Sequence, residues 1–155
     1  MAGRIQNEIR QSKAIAHPSE EAVLNILRTS DVVTQLLTDV LKPSGLSPTQ
    51  YNVLRILRGA AGKGACCSEI GERLVTRDPD VTRLIDRLEK RKLLVRTRDK
   101  EDRRYITIQL TPGGLDLVNE LDGPMDIWTR KLMQNISSEE TKVLIGLLER
   151  LREGL

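Results

Sequence analysis

The sequence predicts a mainly α fold with a small two- or three-stranded β-wing, and three observations carry that expectation. Apolar residues recur at helical spacing in segments separated by Gly, Pro and hydroxyl-rich breaks. The stretch from Leu94 to Leu110 instead reads as two strands flanking a charged loop. That hairpin comes directly after an amphipathic helix, within the run DPDVTRLIDRLEKRKLLVRTRDKEDRRYITIQL from Asp78 to Leu110. A short helix, a turn, a longer helix and a hairpin in succession have the layout of a winged helix-turn-helix. Such a unit offers a rod that fits a DNA major groove and an arm that can reach the backbone or the minor groove.

The longer helix can be justified residue by residue. Asp78 is expected as its N-cap, with Pro79 at the first helical position, where no backbone N–H is missed. Asp80 adds negative charge to the first turn, which the helix dipole favours. Val81, Leu84, Ile85 and Leu88 repeat with helical period and define a buried face, while Thr82, Arg83, Asp86, Arg87 and Lys90 define the other. A solvated surface helix would show the same stripe; the charged hairpin directly after it favours the DNA-reading role. In the second strand Ile106, Ile108 and Leu110 share one face, and Tyr105, Thr107 and Gln109 the other. The residues between the strands, Asp99 to Arg104, are all charged and include neither Gly nor Pro. A plain hairpin tip favours Asn-Gly or Asp-Gly, so this tip is read as presenting charge.

The remaining elements are set by breaks and caps. Met1 to His17 is polar and irregular, read as a mobile arm or a dimer-swapped extension. Pro18-Ser19-Glu20-Glu21 reads as a helix start with Ser19 as cap. That helix carries Val23, Ile26, Leu27, Val33, Leu37, Val40 and Leu41, is interrupted by Ser30 and Thr34, and stops near Lys42-Pro43-Ser44-Gly45. Ser47-Pro48-Thr49-Gln50 is a capping box for a helix burying Val53, Leu54 and Leu57. Gly59 to Gly64 ends it. Ser68 to Val75 is a short helix carrying Ile70 and Leu74. Thr111-Pro112 starts the C-terminal region, Gly123-Pro124 is expected to kink it, and Ser137-Ser138-Glu139-Glu140 is a second capping box.

Composition narrows the function classes. The 155 residues suffice for one domain with a sizeable core, and the net charge is only +3. From Arg77 to Arg104, however, eleven Lys and Arg face seven Asp and Glu, a net +4, which leaves −1 for the rest. The basic excess sits where the DNA-reading elements are expected. Phe is absent, with two Tyr and one Trp, which disfavours a base-stacking single-strand binder. There is no apolar run of membrane-spanning length and no signal-peptide core after Met1, so a cytoplasmic location is expected. Adjacent Cys66 and Cys67 are no secreted disulfide framework. With His17 the single histidine and no Cys-x-x-Cys pair, neither a metal nor a cofactor is expected. An enzyme is not expected either: Gly62-Lys63-Gly64 is too short for a phosphate loop, and no nucleophile–base constellation stands out.

Five pieces, in order and spacing, resemble the MarR family of bacterial transcription regulators. They are G-L-S-P-T-Q-Y-N-V-L-R-I-L (Gly45 to Leu57), S-E-I-G-E-R-L (Ser68 to Leu74), P-D-V-T-R-L-I-D-R-L-E-K-R (Pro79 to Arg91), D-x-x-D-R-R (Asp99 to Arg104) and L-T-P-G-G (Leu110 to Gly114). The resemblance is strong from Leu46 to Gly114, and the flanking helices match by pattern. It implies one domain over residues 1–155, with a winged lobe at 46–111 and dimerisation helices at 19–42 and 112–155. Those apolar flanking helices either cover the winged core or pair two chains; the resemblance favours the homodimer. Two-fold symmetry then lets two reading helices meet successive major grooves about 34–36 Å apart on a palindrome.

The implied function is a sequence-specific double-stranded DNA-binding transcription regulator, a repressor released from its operator by a small, often aromatic or phenolic, effector. The alternative is a winged-helix module for architecture or protein contact without an effector. On the reading helix the candidates are Pro79, Asp80, Thr82, Arg83 and Arg87, with Arg87, further along, read as a phosphate contact or merely solvated. Arg83 suits a bidentate pair with guanine; Asp80 either accepts from cytosine or only stabilises the helix start. Ser47, Thr49 and Ser68 sit at helix N-termini, which suit phosphates. In the wing, Arg98 and Lys100 add charge, and the resemblance points to Arg104 in the minor groove with Asp102 bracing it; strand parity leaves Arg103 as the alternative. Ser30, Tyr51 and Trp128 are candidate effector-pocket residues by position. Cys67 falls about where a Ser or Thr would cap the next helix and could be a reactive thiol, although a structural role is the expectation. Two positions depart from the family pattern. Lys92 stands where a helix-ending Gly is usual, which requires a left-handed residue with a side chain. Gly113-Gly114 doubles a single Gly, which is expected to loosen the joint between wing and helix.

Overall fold

Helix starts, breaks and one short hairpin account for the architecture of this chain. The computed structural model describes residues 4–98 and 105–153. The wing residues Lys100, Asp102, Arg103 and Arg104 therefore lie outside the described residues. By their internal contacts the chain forms two compact units, Met1–Pro48 and Thr49–Leu155.

In the first unit the N-terminal arm is irregular over residues 11–17 but not throughout. Arg4–Glu8 forms a short helix, α1, and its Ile5 is buried. Helix α2, Pro18–Leu41, begins one residue before the expected cap. Pro18 takes the first helical position, His17 precedes it with no side-chain cap, and Ser19 is already helical. Proline has no N–H to leave unsatisfied there, and Glu20 and Glu21 suit the dipole. Thr34 and Thr38 turn their hydroxyls back onto the carbonyls of Ser30 and Thr34, both at 2.8 Å. A 3-10 turn at Lys42–Ser44 and left-handed Gly45 (φ 66°) end the helix.

The second unit opens with α3, Pro48–Gly59, which buries Tyr51, Val53, Leu54, Ile56 and Leu57. Next come helices α4 (Cys67–Arg73) and α5 (Val81–Lys90), the latter burying Leu84, Ile85 and Leu88. The hairpin pairs β1, Leu94–Arg98, antiparallel with β2, Ile106–Leu110, in the register Leu94↔Leu110, Arg96↔Ile108 and Arg98↔Ile106. A third strand reduces to one residue: Ala65 exchanges both backbone hydrogen bonds with Ile108, at 3.0 and 2.9 Å. Gly64, at φ +72°, makes that approach possible, since a Cβ there would overlap the Ile108 carbonyl. Leu54, Ile70, Ile85, Leu88, Leu94, Ile108 and Val118 are fully buried, so every element of the lobe contributes to one core.

The C-terminal region divides further than a kink. Helix α6 spans Pro112–Glu120 and α7 spans Asp122–Met133, with Leu121 between them. Pro124 has no N–H to return to the Glu120 carbonyl, which places the break there. Helix α8, Ser138–Arg152, starts with the expected capping box, Ser137 and Glu140 satisfying each other's backbone. Among the described residues no helix is long and apolar enough to cross a membrane.

The joint between wing and α6 is tight, contrary to the expectation from Gly113-Gly114. Thr111 caps α6 by accepting from the Gly114 N–H at 3.0 Å, donates its hydroxyl to the Lys92 carbonyl at 2.7 Å, and its N–H bonds the Leu93 carbonyl at 3.1 Å. Gly114 lies so close to the Leu93 carbonyl that a Cβ would overlap it, whereas a Cβ on Gly113 would meet only the Thr111 hydroxyl, at an ordinary 3.9 Å. The second glycine is thus a close-packing device.

Candidate nucleic-acid interface

The reading helix starts two residues later than the D-P-D run suggests. Asp80, at φ −127° and ψ 58°, is the N-cap, and its carboxylate accepts from the Arg83 N–H at 3.1 Å. Asp78 instead accepts from the Asp80 N–H at 2.8 Å, closing a turn around Pro79. Asp80 also pairs with the Arg83 guanidinium at 3.3 Å, both side chains being at least half exposed. In the free chain, then, Asp80 stabilises the helix start and holds Arg83. Thr82, Arg83 and Arg87 are exposed along the outer face of α5.

The C-terminus of α5 is a Schellman motif. Lys92 is left-handed (φ 59°), as the missing glycine required. Its N–H bonds the Glu89 carbonyl at 2.8 Å, and the Leu93 N–H bonds the Leu88 carbonyl at 3.1 Å. Buried Leu88 and Leu93 complete the motif's apolar contact.

Helix α4 is capped one residue earlier than expected, by Cys66 rather than Cys67. The Cys66 N–H donates to Glu69 at 2.7 Å, and this bond holds the Glu69 carboxyl below its ordinary value. The Cys67 sulfur lies 3.8 Å from the Thr82 hydroxyl, which joins α4 to the reading helix. The turn between α4 and α5 is pinned to α3, since Asn52 accepts from the Val75 N–H at 2.8 Å. Asn52 has no sequence signature; its partner is 23 residues away.

Ser68 and Pro79 line one groove of about 780 Å³ together with Leu74, Val75, Arg77 and Asp78. The helix-turn-helix candidates Ser68, Pro79, Asp80, Thr82, Arg83 and Arg87 therefore belong to one α4–turn–α5 segment. Ser47 is exposed immediately before α3, and Thr49 is half-buried in its first turn. Arg98 is exposed at the end of β1.

Two arginines that sequence reasoning did not single out organise the lobe. Arg96 on β1 binds both Asp86 (2.5 Å) and Glu89 of the reading helix, and its backbone N–H donates to Glu89 at 3.2 Å. Burial alone would lower the Arg96 pKa, but the bonds to Asp86 and Glu89 raise it on balance. Arg58, near the end of α3, makes a fork with Asp122 of α7 at 2.9 and 3.0 Å and also reaches Asn119 at 3.0 Å. That hydrogen bonding holds the Asp122 carboxyl below its ordinary value.

The effector candidates are distributed. Ser30 is exposed on α2 in the first unit, while Tyr51 and Trp128 belong to the second. Tyr51 is buried, burial pushes its phenol up, and Arg55 stacks 5.9 Å from its ring centre. Trp128 is half-buried, with its indole N–H enclosed and without an acceptor among the described residues. A cavity of about 500 Å³ at the base of the wing, lined by Leu57, Arg58, Gln109, Leu110 and Leu115 among others, includes neither.

A helix-turn-helix with an exposed basic helix face, leading at once into a paired wing, defines a winged helix-turn-helix DNA-binding transcription regulator. Comparison with known proteins agrees. The model of the MarR family matches residues 44–104. The HTH-type transcriptional regulator SarZ of Staphylococcus epidermidis is 33% identical over 122 residues, covering 78% of this chain and 79% of that protein. The chain belongs to the MarR family. A MarR transcription factor from Planctomyces limnophilus is 36% identical, with a TM-score of 0.68 over 87% of this chain and 98% of that one. Bordetella bronchiseptica BpsR, whose DNA binding is regulated by 6-hydroxynicotinic acid, is 27% identical with a TM-score of 0.76 over 89% of this chain and 97% of that one.

Proposed function

We propose that the chain is a cytoplasmic homodimeric repressor, and not an enzyme, that binds a palindromic operator and is released by a small aromatic effector. The observation that carries the DNA half is α5: its apolar residues are satisfied within the lobe, while Thr82, Arg83 and Arg87 face outward. Arg83 reads a base, Pro79, Asp80 and Thr82 flank it, and Ser47, Thr49, Ser68, Arg87, Arg98 and Lys100 serve phosphates. Arg104, or its neighbour Arg103, enters the minor groove with Asp102 as brace. Residues 46–111 form the DNA-binding lobe. The helices at 19–42 and 112–155 make the dimer, a reading supported by the exposure of Val143, Ile145, Leu147 and Leu151 on α8.

The effector half is supported by the enclosed Trp128 N–H, a donor with no acceptor among the described residues that a ligand's acceptor would satisfy. BpsR, regulated by a hydroxylated aromatic acid, supports that ligand class.

Selection of duplexes from a random pool tests the reading. A two-fold symmetric site with half-sites about one helical turn apart is expected. Arg104→Ala should weaken binding to it about tenfold, near 1.4 kcal/mol, with the dimer intact. No enriched duplex, or one bound with the same affinity at low and high salt, would contradict DNA recognition through phosphates.

A further inference from the structure

The reading helix carries two acidic residues, Asp86 and Glu89, among its basic ones. Near a phosphate backbone such carboxylates would repel, and their presence calls for a reason. Both are bound by one guanidinium. Arg96 rises from β1 on the same strand face as buried Leu94, and its side chain is only 26% exposed. One nitrogen binds Asp86 at 2.5 Å, another binds Glu89, and the Arg96 backbone N–H donates to Glu89 at 3.2 Å. The planar fork and the backbone bond together fix β1 against α5 in direction as well as distance.

We infer that Arg96 is a positioning residue for DNA recognition: through Asp86 and Glu89 it locks the wing to the reading helix, so that both elements meet the duplex in one geometry. The inference rests on the reading of α5 and the wing as DNA-contacting elements. Arg96 itself need touch no phosphate, since its guanidinium is occupied. Two residues further along β1, exposed Arg98 is carried by the strand that Arg96 fixes.

The test is a double substitution that plain electrostatics and positioning predict with opposite sign. Asp86→Asn with Glu89→Gln removes two negative charges beside the DNA, which by charge alone tightens binding. Positioning requires binding to a duplex selected by the wild-type chain to weaken, by about fivefold, equal to about 1 kcal/mol. Arg96→Lys, which keeps the charge and loses the fork, should weaken it similarly. In an Arg98→Ala background the loss caused by Asp86→Asn with Glu89→Gln should shrink, because the misdirected strand then carries one contact fewer. Tighter or unchanged binding, full rescue by lysine, or strictly additive losses would overturn the inference. Hydrogen exchange in the free protein gives a readout without DNA: the amides of residues 94–98 should exchange faster in the double variant, and equal protection would also overturn it. If the wild-type chain selects no duplex, the functional reading fails, and the exchange measurement alone decides whether Arg96 holds the wing.

Discussion

Helices α5 and α8 are both amphipathic, yet the chain treats their apolar faces in opposite ways. On α5, Leu84, Ile85 and Leu88 are at most 7% exposed, and the helix is left with an outward polar face. On α8, Val143, Leu147 and Leu151, which share one face, are each at least 51% exposed. The first helix finds its apolar partners within its own lobe, and the proposed DNA contacts lie on what remains outside. The second presents apolar surface that a soluble monomer rarely leaves uncovered. The difference separates two tasks: α5 is finished by folding, and on the proposed reading α8 is finished by association.

The largest effect that can break this comparison is a truncation on each helix. Ile85→Ala should cost roughly 2–5 kcal/mol of unfolding free energy, independent of protein concentration, because it empties a fully buried site. Leu147→Ala should instead give a stability that falls on dilution more steeply than that of the wild type. Urea unfolding at several protein concentrations checks both, and equal behaviour of the two variants would erase the distinction.

A smaller and opposite effect is expected at the end of α5. Lys92 holds a left-handed backbone at φ 59° that glycine adopts without a Cβ penalty. Lys92→Gly should therefore stabilise the lobe by about 0.5–1 kcal/mol, readable as a raised denaturant midpoint. A lower midpoint would mean that the lysine side chain contributes more than its backbone costs.

The smallest expected effect is acid sensitivity. Asp122, Glu69 and Glu140 are held below their ordinary values, by hydrogen bonds from Arg58, Cys66 and Ser137 respectively. As pH falls, the unfolded chain takes up these protons before the folded chain does. Their contribution is present above the ordinary carboxylate range and is lost as pH drops through the depressed values. Asp122→Asn should flatten that acid limb of a stability profile; an unchanged limb would remove the Arg58 fork from the account.

Much of this was legible in the sequence. The period of Val81, Leu84, Ile85 and Leu88, the alternation of Ile106 and Ile108, the Ser137 capping box and left-handed Lys92 are all local, and local patterns fix them. Helix starts were less legible. D-P-D offers two caps and Cys-Cys two more, and only the backbone path into each helix chooses Asp80 and Cys66. The role of Arg96 was illegible, because its partners lie seven and ten residues back, across the turn that Lys92 makes. Asn52 and Gly114 escaped for the same reason, each being defined by a backbone group distant in sequence. Of the wing's DNA-contacting candidates, Arg98 alone lies among the described residues, so the assignment of Arg104 rests on its motif.

The central claim is that two copies, joined through faces such as that of α8, present two reading helices to one duplex. Sedimentation equilibrium of the chain with a selected duplex, beside a Leu147→Lys, Leu151→Lys variant, tests it most directly. Two wild-type copies per duplex, and at most one copy of the variant with markedly weaker binding, are predicted. One wild-type copy per duplex, or two tightly bound copies of the variant, would contradict it.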